Sequence, residues 1–573
     1  CASWAYGRLW LPYDEHADNG HYQTENYGAA STTGSDGHTF YGNVFGGGSG
    51  YFAYETTTTG VYEWLPSAGL VEGDTYVNIS GGHILTNVYG GNEMTNVTGT
   101  AHVTMTGGTL GVPRTLARIA EHPVTCYLFG GGKGDQRVHF NKSTNVGHAK
   151  VNVSGGIIYG SVFGGGEDGH VLGDVTMNIS DGAKIGTWGT SYVEGNVFGG
   201  GRGFGGDAYT AGNVAGSVTL NITGGTMLGS IYGGGRLGSV GYGLFSKDEV
   251  GYGTMRADNV TEDGFTPPGG LTKGRGHVTM NISGGTIGNK YEFIVPSGAG
   301  PVSTNAFGSW TDADWTSWKS TNHVPYTEYD KSNGRLTHTK GGNVFAGGMG
   351  RHTQLDGETE ITYVDWWKLG NVKSTTLTIS GTPWIMSNVY GGGEMGAVNT
   401  YTSSGEPAVK EGGTTSITIT GGTIGTEVTG ETPEKTTVSW EPTSARSDVQ
   451  YTFGSVYGGG MGLEVPASGD RHGGEVGGNA TVSMSGADTE VRASVFGGGE
   501  MAIVDGNTSV TISGGKIGRK EVKPLTDKSD INAGYVLFGG ATMGNVYGGG
   551  KGVLGYTTAG QVKGNTNVNI TGG

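Results

Sequence analysis

The sequence predicts an all-β protein folded as a single-stranded parallel β-helix, a β-solenoid in which each coil stacks on the previous one. Two observations carry this prediction. A pair of short phrases alternates along the 573-residue chain at fixed minimal spacings, and glycine supplies 119 of the residues. Glycine is entropically costly in an ordered chain, so this density requires a geometric reason. Regular repeats of about 20–50 residues are typical of solenoids.

The first phrase reads V-x-N-I-S-G-G and the second reads N-V-F/Y-G-G-G, and the eleven copies of each alternate strictly. The isoleucine position of the first phrase is held by Ile79, Met105, Val153, Ile179, Ile222, Ile282, Ile379, Ile419, Met484, Ile512 and Ile570. The aromatic position of the second is held by Phe45, Tyr89, Phe129, Phe163, Phe198, Tyr232, Phe345, Tyr390, Tyr457, Phe496 and Tyr547. Phe538 marks an additional partial copy of the second phrase.

The gaps between the phrases never fall below a minimum length, which indicates a fixed structural unit. The shortest gap from the isoleucine position to the aromatic is 10 residues, as from Val153 to Phe163. The shortest gap from the aromatic to the next isoleucine position is 16 residues, as from Phe163 to Ile179. The minimal coil is therefore about 26 residues, and about 11 coils would stack at an inter-strand spacing of about 4.8 Å. Solenoids tolerate longer gaps as insertions, because each coil contacts only its neighbours.

The insertions fall into two slots, each of which would place its loops along one edge of the solenoid. The slot after the G-G-x-I-G stretch holds 111–125, 186–194, 289–341, 426–453 and 518–536. The slot after the G-G-G run holds 202–213, 236–274, 350–370, 399–412 and 463–477. Loops on a rigid scaffold are where binding functions collect.

Each phrase reads as a short strand that ends in glycine. Val175, Met177 and Ile179 alternate with polar residues, the period-two pattern of a half-buried strand. We expect the G-G and G-G-G runs to form two stacked corners at which glycine adopts a positive φ. The outward rows of threonine and asparagine would either hydrogen-bond up the stack or present a flat face to sugar or ice. The long insertions argue against ice binding, and so does the presence of Tyr76 and Lys150 in these rows.

Two further rows repeat beside the G-G-G corner. Because tyrosine replaces phenylalanine freely in the aromatic row, we expect stacked rings with one edge reaching solvent. The residue after G-G-G alternates in sign over four coils, as Glu93, Lys133, Glu167 and Arg202. Opposite charges one coil apart attract modestly, and like charges repel. We interpret these four residues as a structural rim that controls register, not as catalytic groups.

The candidate ligand-binding residues are aromatic and lie in the two insertions of one coil. They are Trp310, Trp315, Trp318, Tyr326, Tyr329, Trp366 and Trp367. Exposed aromatic rings beside acids suit sugar rings, which stack on them and hydrogen-bond to nearby polar groups. The competing interpretation is that these loops pack on one another as a small satellite core.

Composition argues against several functional classes. The net charge is −16, and no basic surface that could meet nucleic-acid phosphates is visible. The sequence contains no run of 18 apolar residues, so it predicts no membrane span in this chain. No nucleophile elbow, H-E-x-x-H or phosphate-loop motif occurs. Many β-helices cleave acidic polysaccharides with a cluster of Asp, Arg and Lys on one sheet face, but here acid pairs such as Asp312 and Asp314 lie only in insertions. A carbohydrate-active β-helix enzyme, a lyase or glycosidase, is therefore the alternative to a binding or structural role.

Cysteine usage and metal motifs are sparse. Cys126 lies in a core-like strand and reads as a buried small apolar residue. Cys1 would be a lipid-anchor site if a signal peptide had been removed just before it; otherwise the chain simply begins there. The stretches "GGGKGDQ" and "GGGEDG" match the calcium β-roll repeat imperfectly and do not recur, so no metal site or cofactor is predicted and any calcium would be incidental.

The phrases "NISGGTIG" and "NVFGGG" resemble the Gly-rich right-handed parallel β-helix repeats of large bacterial cell-surface, adhesin-like proteins. The resemblance covers about residues 41–573 and carries no catalytic signature. It implies a secreted or surface-anchored extracellular protein that serves as a stalk, an adhesin or part of a filament. Host or bacterial surface glycans or proteins would be its partners.

Residues 1–40 lack the repeat and are predicted to cap or precede the helix, which spans 41–573. The chain ends on "NVNITGG", partway through a coil, so we expect the helix to continue beyond it or to join a second copy end to end. An open end exposes unpaired strands and needs a cap or partner.

Overall fold

Of the 40 described strands in the structure, a computed structural model, 32 belong to two parallel sheets, which confirms the predicted all-β parallel β-helix. The structure describes residues 40–50, 68–111, 126–134, 144–186, 195–203, 211–241, 275–288, 341–356, 366–398, 413–425, 454–463, 472–518, 544–553 and 555–573, with short strands inside the insertions. Residues 1–39, the predicted cap with Cys1, lie outside this part of the chain.

Sheet 1 carries the first phrase and the short strand after it. Its strands are Phe40–Tyr41, Thr75–Ile79, His83–Ile84, Val97–Leu110, Asn145–Ile158, His170–Val171, Val175–Ile179, Lys184–Ile185, Val218–Ile222, Thr226–Met227, His277–Ile282, Thr286–Ile287, Ser374–Ile379, Trp384–Ile385, Thr415–Ile419, Thr423–Ile424, Ala480–Met484, Glu490–Val491, Thr508–Ser513, Lys516–Ile517 and Thr566–Gly572. Equivalent residues pair throughout, for example Asn178 with Asn221 and Ile179 with Ile222.

Sheet 2 carries the second phrase, and its strands number the levels of the stack from 1 to 11 in chain order. They are Val44–Phe45, Val88–Tyr89, Leu128–Phe129, Val162–Phe163, Val197–Phe198, Ile231–Tyr232, Val344–Phe345, Val389–Tyr390, Val456–Tyr457, Val495–Phe496 and Val546–Tyr547. Each level is followed by its own post-glycine residue and its own first-phrase strand. Because pairing runs only between consecutive levels, long insertions do not disturb the register.

The interior contains three columns of side chains that run along the stack. Alternate residues of the first phrase face inward, as in Val175–Ile179, where residues 175, 177 and 179 are buried and 176 and 178 are not. Met177 and Ile179 belong to the main aliphatic core, together with the valines of sheet 2. Val175 belongs to a second column, which consists of valine and alanine. The aromatic row of sheet 2 forms the third column.

The two glycine corners work by different physical means, which corrects the expectation of positive φ at both. At the G-G corner the second glycine does adopt a positive φ, as at Gly225, where φ is 90°. In the G-G-G run the cause is close approach between levels. A Cβ on Gly164 would lie 2.2 Å from the carbonyl oxygen of Gly199, one level on. Consecutive G-G-G segments therefore stack backbone on backbone, and only at level 7 does a larger residue, Ala346, take the first position among the described residues.

The insertions contain short antiparallel hairpins, which the repeat pattern did not predict. Their strands pair as Tyr54–Glu55 with Tyr62–Glu63, Tyr329–Asp330 with Arg335–Leu336, Thr353–Asp356 with Thr359–Thr362, and Lys520–Val522 with Val536–Phe538. Phe538 therefore belongs to a hairpin and is not a partial copy of the second phrase. The helical turn Trp366–Lys368 is 3₁₀. Among the described residues no helix is long and apolar enough to cross a membrane.

Candidate functional site

The aromatic rings of sheet 2 form one continuous stack. All ten successive pairs, from Phe45 on Tyr89 to Phe496 on Tyr547, lie with ring centroids 4.6 to 5.1 Å apart and nearly parallel planes. The rings between the ends of the stack are buried, so the expected solvent-facing edge is wrong for them. A buried tyrosine hydroxyl needs a hydrogen-bond partner, and the stack supplies one.

The tyrosine hydroxyls of levels 2 to 9 each reach a charged residue two levels further on, past the intervening ring. Tyr89 donates to Glu167, and Tyr390 donates to Glu500. Tyr232 donates in the same way to Glu394. Burial raises the pKa of Tyr390 well above its ordinary value, and the Glu500 carboxylate adds to the rise, so this phenol keeps its proton and remains the donor.

The choice of tyrosine or phenylalanine follows the residue found two levels on in the post-glycine column. That column runs Ser49, Glu93, Lys133, Glu167, Arg202, Arg236, Met349, Glu394, Met461, Glu500 and Lys551. Glutamate at the second level is matched by tyrosine, whereas methionine is matched by phenylalanine, as in Phe198 with Met349 and Phe345 with Met461. Tyr457 is hydrogen-bonded to Lys551, again two levels on. The sequence contains this correlation, but comparison of adjacent coils alone does not detect it.

The predicted structural rim lies inside the stack, not on its surface. Lys133, Glu167 and Arg202 are buried, and the Glu93 side chain is 15% exposed. Lys133 Nζ lies 3.0 Å from Glu93 Oε1, and Arg202 Nη1 lies 3.7 Å from Glu167 Oε1. The physical reason for the interior position is that the G-G-G segment turns toward the aromatic stack, so its next side chain points into that space.

The alternation of charge breaks where Arg202 and Arg236 occupy consecutive levels. Burial lowers the pKa of Arg202 to about 10, and the charge of Arg236 contributes to the fall. Two contacts offset this cost. The Arg202 guanidinium lies 4.3 Å from the centre of the Tyr127 ring, a cation–π geometry. Arg236 Nη1 donates to the Gly203 carbonyl oxygen at 2.9 Å.

Polar side chains inside the corners also form ladders from level to level. In sheet 2 the residue before the strand accepts a backbone N–H from the next level. Asn196 Oδ1 accepts from Ser230 at 2.7 Å, and Asn388 Oδ1 accepts from Ser455 at 2.9 Å. In the neighbouring corner His170 does the same, because its Nδ1 accepts the Asn213 N–H at 3.2 Å. Burial lowers the pKa of His170 to about 4, so the ring is neutral at neutral pH.

The outer face of sheet 1 carries the predicted amide ladder. Asn178 Nδ2 donates to Asn152 Oδ1 at 2.8 Å, Asn221 to Asn178 at 2.9 Å, and Asn281 to Asn221 at 2.9 Å. Threonine and serine continue the row toward the last levels, as at Thr418 and Thr511. These amides therefore bind one another and hold the stack together, while the neighbouring hydroxyls remain at the surface.

An open polar groove crosses the corner beside this face. It is lined by side chains from four consecutive levels: Asp181, Lys184, Thr226, Thr286 and Thr382. The lining combines one carboxylate, one ammonium group and three hydroxyls. Such a mixture can donate to and accept from the hydroxyl groups of a sugar.

Of the seven candidate ligand-binding aromatics, the side chains of two are described. Trp366 is 5% exposed and packs against Leu237 and Leu369, with Trp367 against the edge of the cluster. Tyr329 lies in a hairpin strand whose side chains are not described, and Trp310, Trp315, Trp318 and Tyr326 lie outside the described residues. The described part of the second slot thus forms a small satellite core.

Cys126 is buried, as predicted, and its thiol donates to the Leu85 carbonyl oxygen at 3.4 Å. No cluster of three or more His, Cys, Asp or Glu residues that could hold a metal ion occurs in the described ranges. Comparison of the chain with protein-family models, curated proteins and solved structures finds no match.

Proposed function

We propose that the protein is an extracellular β-helical scaffold of a bacterial cell surface, which displays its insertions to glycans or proteins. The observation that supports this proposal is the in-register stack of sheet 2, which continues across insertions of very different length. A scaffold that keeps its register in this way presents every loop of one slot along the same edge. Function on a rigid framework is usually carried by such loops.

Glycan binding is the proposed activity of the aromatic insertion at 306–330. Its three tryptophans supply flat apolar surfaces, and the buried Trp366 lies in the next insertion along the chain. The groove of Asp181, Lys184 and the three threonines offers a second place where sugar hydroxyls would find partners. Aromatic stacking with nearby hydrogen-bonding groups is the general chemistry of sugar recognition.

A glycan array tests the proposal directly. The intact chain is compared with a variant lacking 306–327 and with a control lacking 428–449, an equally long part of an insertion in the same slot. We expect the first deletion alone to abolish the signal. Equal signals from all three chains would refute binding by this loop. Release of shortened or unsaturated sugar products would instead favour the enzyme alternative.

The groove is tested in the same assay. Thr226→Val and Thr286→Val remove two hydroxyls without changing side-chain volume much. If the groove contributes, the double variant weakens binding to the glycan that the loop recognises. An unchanged affinity would assign binding to the loop alone.

A further inference from the structure

The groove beside the outer face of sheet 1 lies between two corners that are one residue longer than the corners separating them. Each corner takes the level of the first-phrase strand that it follows. At levels 5 and 6 four residues separate the buried residues on either side of the corner, as between Ile222 and Met227. At level 4 five residues do so, between Ile179 and Ile185, and the corner of level 7 is equally long. The long corners form the walls of the groove, and the short corners form its floor.

The longer corners must bulge outward, because the strands on both sides of them are paired in register. Ile179 pairs with Ile222 before the corner, and the short strand after it is paired in the same way. A residue without a counterpart in the next strand bends the chain away from the sheet, as in a β-bulge. Asp181 at level 4 and Thr382 at level 7 are exposed members of the long corners, and both line the groove.

The carboxylate of Asp181 extends from its wall over the floor. A Cβ added to Gly224, in the corner of level 5, would overlap this carboxylate. The glycine therefore leaves the space that the acid occupies. Lys184, which is exposed on the same wall, pairs in register with Thr226 of the floor. One wall thus places an acceptor and a cationic donor beside the hydroxyls of the floor.

The charges of the lining select against ions as ligands. Among the described residues that line the groove, the charged ones are Asp181 and Lys184, and their charges cancel. An anion would meet the carboxylate and a cation would meet the ammonium group, so neither gains a net attraction. The hydroxyls of Thr226, Thr286 and Thr382 can each donate and accept a hydrogen bond. A neutral ligand rich in hydroxyl groups makes use of all five side chains.

The width of the groove limits the size of such a ligand. The two walls stand three levels apart, which is about 14 Å at an inter-strand spacing of about 4.8 Å. The floor of two levels is about 10 Å wide at the same spacing, enough for one or two sugar rings. Because the groove crosses the corner and is open, a ring within it can belong to the interior of a longer chain.

One end of the groove meets the base of the aromatic insertion. Thr286 on the floor lies two residues before Gly288, after which the insertion 289–341 begins. A Cβ added to Gly288 would lie 2.6 Å from the Cα of Gly342, at the other end of the insertion. The insertion therefore leaves and rejoins the stack at this edge of the groove. A glycan bound in the groove would extend toward that edge.

We propose that the groove binds one or two neutral sugar units of a longer glycan chain, with Asp181 and Lys184 contacting their hydroxyls from one wall and Thr382 from the other. This inference rests on the proposed glycan-binding function and names the substrate class. The class is a neutral glycan, as opposed to a polymer of uronic acids, sulfated sugars or amino sugars. The groove consists of described residues, so its contribution can be measured apart from that of the insertion.

Nuclear magnetic resonance of the intact chain with isotope-labelled threonine methyl groups tests the site. Cellobiose, maltose and lactose are the neutral probes, and Thr→Val variants assign the signals. We expect at least one probe to shift the signals of Thr226, Thr286 and Thr382. The signal of Thr423, which holds the equivalent position at level 8 outside the groove, should not move. The affinity should not change with ionic strength, because the ligand is uncharged.

The Asp181 wall is tested by substitution in the same titration. Asp181→Asn should weaken binding about tenfold, because a hydrogen bond to a charged group is replaced by a neutral one. Asp488→Asn is the matched control, since Asp488 is an exposed acid in the corner of level 9, beyond the groove. It should leave the affinity unchanged. Tighter and salt-dependent binding of a disaccharide that contains glucuronic acid would overturn the assignment to neutral sugars.

Failure of this site and failure of the proposed function give different results. If the glycan array is positive but the neutral glycans that it identifies do not shift the groove threonines, the site is overturned and binding by the insertion stands. If the array is blank and no probe shifts these signals, both proposals fail. Shifts caused by a neutral disaccharide in the variant lacking 306–327 would support the groove as a site in its own right.

Discussion

The Tyr232 hydroxyl donates a hydrogen bond to the Glu394 carboxylate, 162 residues later in the chain and two levels further along the stack. The ring between them belongs to Phe345, which stacks on Tyr232 with a centroid distance of 5.0 Å and has no hydroxyl of its own. Repeat proteins are usually stabilised by nearest-neighbour contacts alone. A buried contact that skips one level links three levels into a single unit.

Tyrosine or phenylalanine in the aromatic stack is matched to the residue two levels on, a relationship called here the two-level rule. A hydroxyl added opposite methionine breaks this rule and should lower the stability of the fold. Phe345→Tyr would direct a buried hydroxyl toward the level of Met461, whose thioether is only a weak acceptor. We expect a loss of about 1–3 kcal/mol in stability, the cost of an unsatisfied buried polar group. Chemical denaturation checks the loss. The control places Phe345→Tyr in a Met461→Glu background, which supplies an acceptor two levels on, and an equal loss there would contradict the rule.

His170 should make the stack sensitive to mild acid. Burial lowers its pKa to about 4, so below its ordinary pKa the unfolded chain binds a proton that the folded chain does not. Stability contributed by the neutral ring is therefore complete above about pH 6.5 and is lost as the pH falls toward 4. We expect a loss on the order of 3 kcal/mol across that window. Denaturation midpoints measured from pH 7 to pH 4 check this loss.

A matched variant isolates the histidine from other acid effects. His170→Asn keeps a side-chain acceptor for the Asn213 N–H, as Asn213 itself does for Ser239 at 2.8 Å. We expect this variant to lose less stability between pH 6.5 and pH 4 than the native chain. An identical pH dependence in the two proteins would show that His170 is not the titrating group.

The outer amide ladder predicts a graded effect of position. Asn221→Ala removes a donated and an accepted amide bond, whereas Asn281→Ala removes, among bonds between described residues, the one that Asn281 donates. Each bond is worth about 1 kcal/mol at most at a partly exposed site. Local opening energies from hydrogen exchange should fall further for Asn221→Ala. A larger effect of Asn281→Ala would exclude a cooperative ladder.

The tryptophan cluster should behave as a local unit. Trp366→Ala would empty the contact with Leu237 and Leu369, and large-to-small changes of buried aromatics cost about 3–5 kcal/mol. Because solenoid levels are coupled weakly along the chain, we expect faster hydrogen exchange confined to 366–372 and its neighbouring levels. A uniform loss of protection along the whole stack would contradict this local role.

The architecture was predictable from the sequence because each coil repeats the same physical problem. The minimum gap between the repeated phrases predicted the stack of coils. The alternation of apolar and polar residues around Ile179 predicted which face of the strand is buried. The amide ladder could be anticipated for the same reason, since Asn178 and Asn221 occupy equivalent positions. Repetition turns a three-dimensional question into comparison of equivalent positions.

The interior of the corner was harder to predict, because charged residues beside a glycine-rich turn ordinarily indicate surface. Glu167 and Arg202 are instead buried among aromatic rings. The hairpins within the insertions also lay beyond prediction, since an insertion has no equivalent in the next coil. The signal for the buried column was present only as a correlation at two levels, between Tyr89 and Glu167 and between later pairs of the same kind.

A double-mutant cycle on Tyr232 and Glu394 tests the claim that alternate levels are coupled through buried pairs. Tyr232→Phe combined with Glu394→Met reproduces the Phe345 and Met461 pair found one level on. We predict that the double variant is less destabilised than the sum of the single variants, by about 1–2 kcal/mol in hydrogen-exchange opening energies of levels 6 to 8. Additivity within about 0.5 kcal/mol would show that the two residues act independently, and would contradict the account.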